Sequence, residues 1–301
     1  MPKAVSSPHH ARREAGRLIS RRASLSVAMV LSAMVLASCQ SAGTGSTFRA
    51  TAADQSAGSR VNITSLTAVI EDNPNDANAY NVRGSAFGQA GDLKSAIKDF
   101  DAAIRLNPSF HQAYANRALV HRRLGNDDKA YSDYSRAIQI DPGYGIAYVG
   151  RGNLYRQRKQ FGDALADFNQ AIAIDASDPR AYHNRGLVNQ ATGLHTLAIT
   201  DFGKAISLAP SAAEPFNGRG MSYLAVGDYK AALDDFNEVV KYDKSSYEGW
   251  TNQGLALEKL GEREKAFAAF ARAANLNPNY SAASEGMRRT ASGGGRPLTA
   301  G

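Results

Sequence analysis

Small and aromatic residues return along this chain at one fixed interval. Ala96, Ala130, Ala164, Ala198, Ala232 and Ala266 stand 34 residues apart, and Phe100, Tyr134, Phe168, Phe202, Phe236 and Phe270 each follow four residues later. Pro108, Pro142, Pro210 and Pro278 keep that interval or a multiple of it. Six such units fill residues 77–280 with no insertion. Inside a unit the spacing is helical. In the fourth, Tyr182, Gly186 and Asn189 lie at i, i+4 and i+7, and Gly193 supplies a turn. Ala198, Phe202, Ala205 and Ile206 then form the apolar stripe of a second helix. Gly186 and Ala198 let the helices approach, while Tyr182 and Phe202 fill the space that is left. Residues 62–72 ("NITSLTAVIED") repeat the second half of a unit, so residues 60–76 are expected to hold a capping helix. A stacked array needs its exposed ends covered. At the other end, residues 281–301 are expected to form a short helix, offering Met287 and small residues, and then a disordered tail.

This pattern resembles the tetratricopeptide repeat (TPR) family, whose 34-residue helix–turn–helix signature is W-x2-L-G-x2-Y, A-x3-F and P. The resemblance covers about two-thirds of the chain. It implies an all-α fold: a right-handed α-solenoid of six TPR repeats with an N-terminal capping helix. The repeats are residues 77–110, 111–144, 145–178, 179–212, 213–246 and 247–280. Departures are local. Lys159 replaces the turn glycine of the third unit, and Ala176 and Lys244 replace the terminal proline of the third and fifth.

Where the family places an aliphatic residue before its glycine, this chain has Arg83, Arg117, Arg151, Arg185 and Arg219. Asp99, Asp133, Asp167, Asp201 and Asp235 precede the aromatic of the second helix. In the sixth unit Gln253 and Ala269 stand at these places, so both charges vanish together. Joint presence and joint loss predict a structural Arg–Asp pair inside units one to five. A ladder of arginines for anionic ligands is the rival reading, but an arginine committed to an internal carboxylate has few donors left.

First helices of stacked two-helix units line the concave side. The resemblance implies ligand contacts there, and Asn81, Asn116, Asn153, Asn184, Asn217 and Asn252 fall on the family's groove-facing positions. A carboxamide both donates and accepts, so it suits the backbone of an extended peptide; a merely solvated polar face is the alternative. Arg122 and Arg156, with Arg123, Arg158 and Lys159, make one groove end and turn basic, suited to an acidic partner segment or simply to solvent. The carboxylate clamp of chaperone-binding TPR domains needs lysine at the fifth position of a unit. Asn81, Ala115, Val149, His183, Asn217 and Thr251 stand there, which argues against chaperone tails.

Catalytic spacing is missing from the sequence. His111, His121, His183 and His195 are scattered over different units, with no H-E-x-x-H pattern, phosphate loop or Cys/His metal spacing. No catalytic residue, metal or cofactor is expected, and His121 falls on a core-facing position where packing explains it.

The N-terminus changes the charge argument. Lys3, Arg12, Arg13, Arg17, Arg21 and Arg22 face one acid, Glu14, before the uncharged run 23–38, too short to span a bilayer. This reads as a signal peptide over residues 1–38. "Leu36-Ala37-Ser38-Cys39" resembles a bacterial lipobox, which makes Cys39, the only cysteine, the expected lipidation site. Gln40 rather than Asp after it favours the outer membrane. Ser20–Leu25 also resembles a twin-arginine motif, so the export route stays open. The whole chain carries +7, from 35 basic and 28 acidic residues, and removing the leader leaves +2. A basic footprint for nucleic acid is therefore lacking. Residues 39–59, rich in Ser, Ala, Gly and Thr, are expected to form a flexible tether.

The sequence thus leads to a lipid-anchored scaffold in the bacterial cell envelope, facing the periplasm. It would bind proteins or extended peptide segments through its groove and the bilayer through acylated Cys39, with homodimerisation left open. Its architecture resembles the NlpI-like class of TPR lipoproteins, which recruit proteases or peptidoglycan hydrolases. The alternatives are an assembly factor for a pilus or secretin and an enzyme with an unrecognised site.

Overall fold

The computed structural model describes residues 60–291; Cys39, the basic leader, the 39–59 segment and residues 292–301 lie outside the described residues. Every regular element among the described residues is a helix. A lone helix α1 (Arg60–Asp72) precedes six helix pairs: α2 (Ala77–Ala90) with α3 (Leu93–Leu106), α4 (His111–Arg123) with α5 (Asp127–Ile140), and α6 (Gly145–Gln157) with α7 (Phe161–Ile174). Then come α8 (Pro179–Ala191) with α9 (His195–Leu208), α10 (Ala213–Val226) with α11 (Tyr229–Tyr242), and α12 (Tyr247–Lys259) with α13 (Arg263–Leu276). A last helix, α14 (Ser281–Ala291), closes the array. No helix among the described residues is long and apolar enough to cross a membrane.

The repeated aromatics make the core. Phe100, Phe168, Phe202, Phe236 and Phe270 are fully buried, each worth about 1.5–3 kcal/mol of hydrophobic stabilisation. Close approach of the paired helices depends on glycine: a Cβ at Gly186 would sit 2.9 Å from Phe202 Cε1, closer than packed carbon atoms tolerate. The turns inside the pairs use left-handed backbone, at Gly91, Gly125, Gly193, Gly227 and Gly261. Lys159 holds the same place in the third pair with φ 58°, a conformation that costs a side-chain-bearing residue about 1–2 kcal/mol. Between pairs, an Asx side chain shapes the turn. Asp175 Oδ1 accepts from Ser177 N–H at 2.8 Å and Asp243 Oδ1 from Ser245 N–H at 3.0 Å. These turns therefore form without the proline that Ala176 and Lys244 replace.

Two layers result. Each first helix lies close to the first helix of the next pair, whereas the backbones of successive second helices stay farther apart. The array is therefore tighter on the α2, α4, α6, α8, α10, α12 side, which forms the inner face. Helix α1 packs on α2, and α14 packs on α13 and α12. Small residues let α14 close the end: Gly286 lies against the Phe270 ring and Ala283 is buried. Arg289 also forks onto Glu258 at 2.9 and 2.8 Å.

Candidate functional site

A seam of five arginines runs between the two layers, and four of them bond in two directions. Arg117 Nε and Nη2 donate to Asp133 at 2.8 and 2.7 Å, while Nη1 donates to Asp101 of the preceding pair at 2.6 Å. Arg83 with Asp99, Arg151 with Asp167, Arg185 with Asp201 and Arg219 with Asp235 close at 2.6–2.8 Å. The backward arm reaches Thr67 from Arg83, Ser135 from Arg151 and Asn169 from Arg185 at 3.2, 3.3 and 2.7 Å. Gly203 stands at that place for Arg219, so its Nη1 meets no side chain there. Gln253 in the last pair keeps only the backward arm, to Asn237 Oδ1 at 2.7 Å. One guanidinium thus fastens its own helix pair and also the joint to the previous pair. The ring three residues earlier covers it, as Tyr114 does Arg117 with the guanidinium 5.6 Å from the ring centroid.

All five seam carboxylates are buried. The fork to Asp133 raises Arg117 above the usual arginine range against the opposing effect of burial. Burial raises the Asp235 carboxyl while its fork raises Arg219, so desolvation and attraction oppose each other at this pair. The 2.8 Å fork geometry belongs to the ionised pair.

On the inner face the predicted asparagines divide into two sets. Asn116 Nδ2 donates to Asn81 Oδ1 at 3.0 Å, and Asn252 Nδ2 donates to Asn217 Oδ1 at 2.9 Å. These pairs join neighbouring first helices. Asn116, Asn217 and Asn252 remain half-buried, and Asn116 Oδ1 and Asn252 Oδ1 accept no bond among the described residues. Asn153 and Asn184 are placed differently, each bonded within its own helix. Asn184 is only 2% exposed and its amide is spent on the Arg180 carbonyl at 2.8 Å. Asn153 is buried, with its amide on Val149 O at 3.1 Å and its Oδ1 facing Arg156.

Between the two carboxamide pairs lies the basic stretch. Arg122 and Arg156, one unit apart on α4 and α6, are both half-buried. Arg123 is spent on Gly88 O at 2.9 Å, Arg158 on Asp128 at 2.6 Å and Arg180 on Asp178 at 2.8 Å. Tyr134, the one tyrosine among the repeated aromatics, reaches under Gly150, where any Cβ would overlap its ring. Burial pushes the Tyr134 phenol up, while the charges of Arg122 and Arg180 act the other way. His183 is buried beside Arg156; burial first, and that charge second, lower it to about 4 and keep it neutral at pH 7. His121 is buried too and lowered by desolvation. Among the described residues no group of three or more His, Cys, Asp or Glu side chains gathers where a metal could sit.

Tetratricopeptide repeat models match residues 82–145 and 217–281, a further one matches 179–211, and a TPR repeat model matches 152–193. None of the curated proteins matches the chain. Among solved structures it is similar to a chain of the APC/C hetero-tetramer Cut9–Hcn1, with a TM-score of 0.69 at 19% identity over 78% of this chain and 47% of that one. This chain thus spans about half the length of that relative. PilW, described as a widely conserved type IV pilus biogenesis factor, gives 0.63 at 19% identity over 71% of this chain and 98% of its own. YrrB, described as a TPR protein with an unusual peptide-binding site, gives 0.53 at 23% over 63% and 97%. Identities at this level speak for a shared fold. With repeat models covering most of residues 82–281, and stacked helix pairs throughout that stretch, the chain belongs to the tetratricopeptide repeat family.

Proposed function

We propose that this chain is a lipid-anchored TPR adaptor of the bacterial cell envelope, holding an extended segment of a partner protein along its inner face. The observation that carries the reading is the pair of carboxamide couples on the inner face, Asn81–Asn116 and Asn217–Asn252, in which Asn116 and Asn252 stand half-buried with an Oδ1 that accepts no bond among the described residues. Such groups match the N–H and C=O of a peptide backbone without selecting one side chain. The lipobox-like sequence ending at Cys39 supports an acylated anchor at the outer membrane facing the periplasm, which raises the local concentration of the groove for envelope partners. Recruitment of a protease or peptidoglycan hydrolase, as in the NlpI-like class, fits this architecture and needs no catalytic residue in the chain itself.

Crosslinked capture from envelope extracts tests the groove. Wild type should enrich a protease or cell-wall hydrolase that Asn116→Ala/Asn252→Ala loses; a partner retained by the double variant moves the site off this face. Palmitate labelling should disappear in Cys39→Ala, and labelling that persists there removes the anchor. A second reading, an assembly factor for a pilus or secretin, is favoured by the likeness to PilW over 98% of that chain. Capture of secretin components would promote it over the first.

A further inference from the structure

Arg122 and Arg156 are the half-buried arginines of the described residues that have no carboxylate. Arg83, Arg117, Arg151, Arg185 and Arg219 have theirs in the seam, and Arg180 has Asp178. Arg156 finds only the neutral Asn153 Oδ1, from Nε and Nη2, both at the long distance of 3.4 Å. Arg122 finds no acceptor among the described residues. Asp133, Asp167 and Asp178 are spent on Arg117, Arg151 and Arg180. Burial lowers Arg156 below the usual arginine range, and the like charge of Arg122 pushes the same way. Two cations at equivalent places on neighbouring, touching helices are thus held partly out of water, with no carboxylate to neutralise them. Such an arrangement opposes folding, and its natural complement is an anion arriving from outside.

The surroundings indicate what carries that anion. Gly150 on α6 occupies the place that Asn116, Asn184 and Asn252 hold in other units, and the Tyr134 ring fills the space beside it, so no carboxamide is offered at that level. The carboxamide couples lie on either side along the same inner face, on α2 with α4 and on α10 with α12. Resting on the proposed peptide-binding role of that face, we infer that Arg122 and Arg156 receive the carboxylate of an Asp or Glu side chain in an extended acidic segment of the partner. The arginine fork suits a carboxylate in two-bond geometry.

The full chain is titrated, by fluorescence anisotropy, with a short labelled peptide alternating Glu and Ser and with its Gln/Ser counterpart. Wild type should bind the Glu peptide about tenfold tighter, one charge-assisted contact's worth. Arg156→Gln and Arg122→Gln should each erase most of that difference. Arg105→Gln, an exposed arginine on α3, should leave it unchanged. Thermal unfolding supplies a second readout that needs no peptide: Arg156→Gln should raise the midpoint by about 2 °C, whereas Arg151→Gln should lower it. Equal binding of the two peptides, or a fall in midpoint for Arg156→Gln like that for Arg151→Gln, overturns the assignment. Displacement of the Glu peptide by inorganic phosphate at equal concentration overturns it as well, by assigning the arginines to a free anion. If both peptides bind equally and Asn116→Ala/Asn252→Ala abolishes both, the acidic preference falls while the groove survives. If neither binds and partner capture also ignores the asparagines, both readings fall together.

Discussion

Arg151 and Arg156 stand on one helix, in two regions with opposite logic. In the seam, Arg151 forks onto Asp167 at 2.8 Å and reaches back to Ser135, so its charge is answered on both sides. On the inner face, Arg156 meets only a distant carboxamide. Residue type and partial burial are shared; the carboxylate is not. An answered charge in a repeat protein fastens neighbouring units, while an unanswered one is held at a cost to stability and is available to a ligand. The outer surface completes the series: Arg158 has a carboxylate, but Asp128 is 96% exposed, so water already does most of what the pair does.

The strongest way to break this comparison is to remove a seam carboxylate. Asp133→Ala should cost about 3–5 kcal/mol in denaturant unfolding, because Arg117 is left partly buried with its fork empty and only the arm to Asp101 in place. A loss below about 1 kcal/mol would put the seam on the same footing as the surface pairs.

Acid acts next, through the groove. His183 ordinarily titrates near 6.5 and is lowered to about 4 in the fold, so the unfolded chain takes up its proton first as pH falls. Stability from this group is whole above about pH 6.5 and is lost on the way down to 4, amounting to about 3 kcal/mol. His183→Leu should flatten that part of the pH–stability curve, with an unchanged slope contradicting the burial.

Smaller effects sharpen the seam. Lys159→Gly should stabilise the third turn by about 0.5–1 kcal/mol, since glycine relieves the left-handed backbone at some entropic cost. Gly203→Asn supplies the backward acceptor that Arg219 lacks; an added Cβ would lie 3.7 Å from Nη1, so there is room. It should add about 0.5–1 kcal/mol, combining a better helix former with one hydrogen bond. Asp128→Ala should change stability by less than about 0.5 kcal/mol. Chemical unfolding of these variants side by side ranks the three environments directly.

Much of this fold is legible in the sequence because its regularity is local and repeated. The aromatic at Phe202 and the small residue at Gly186 announce a close helix pair wherever the pattern recurs, and Gln253 with Ala269 shows which charges travel together. The backward arm of the seam carries a signal of the same kind. Thr67, Asp101, Ser135, Asn169 and Asn237 lie 16 residues before their Arg or Gln, just as the aspartates lie 16 after. Varied chemistry at those positions hides it, since any short acceptor serves. The third-unit groove is harder to read. Nothing in the repeat spacing distinguishes the half-buried Asn116 from Asn184, which shares its position in the repeat.

By itself the sequence determined the helix pairs, their number, the order of stacking and the residues of the core, because those follow from short-range spacing and from apolar area that must leave water. Only the tertiary structure decided which asparagine turns inward, which arginine finds a carboxylate and which is left without one. Those outcomes depend on groups from neighbouring units arriving within hydrogen-bond reach, and that reach, a few ångströms across a joint between repeats, is set by packing rather than by position along the chain.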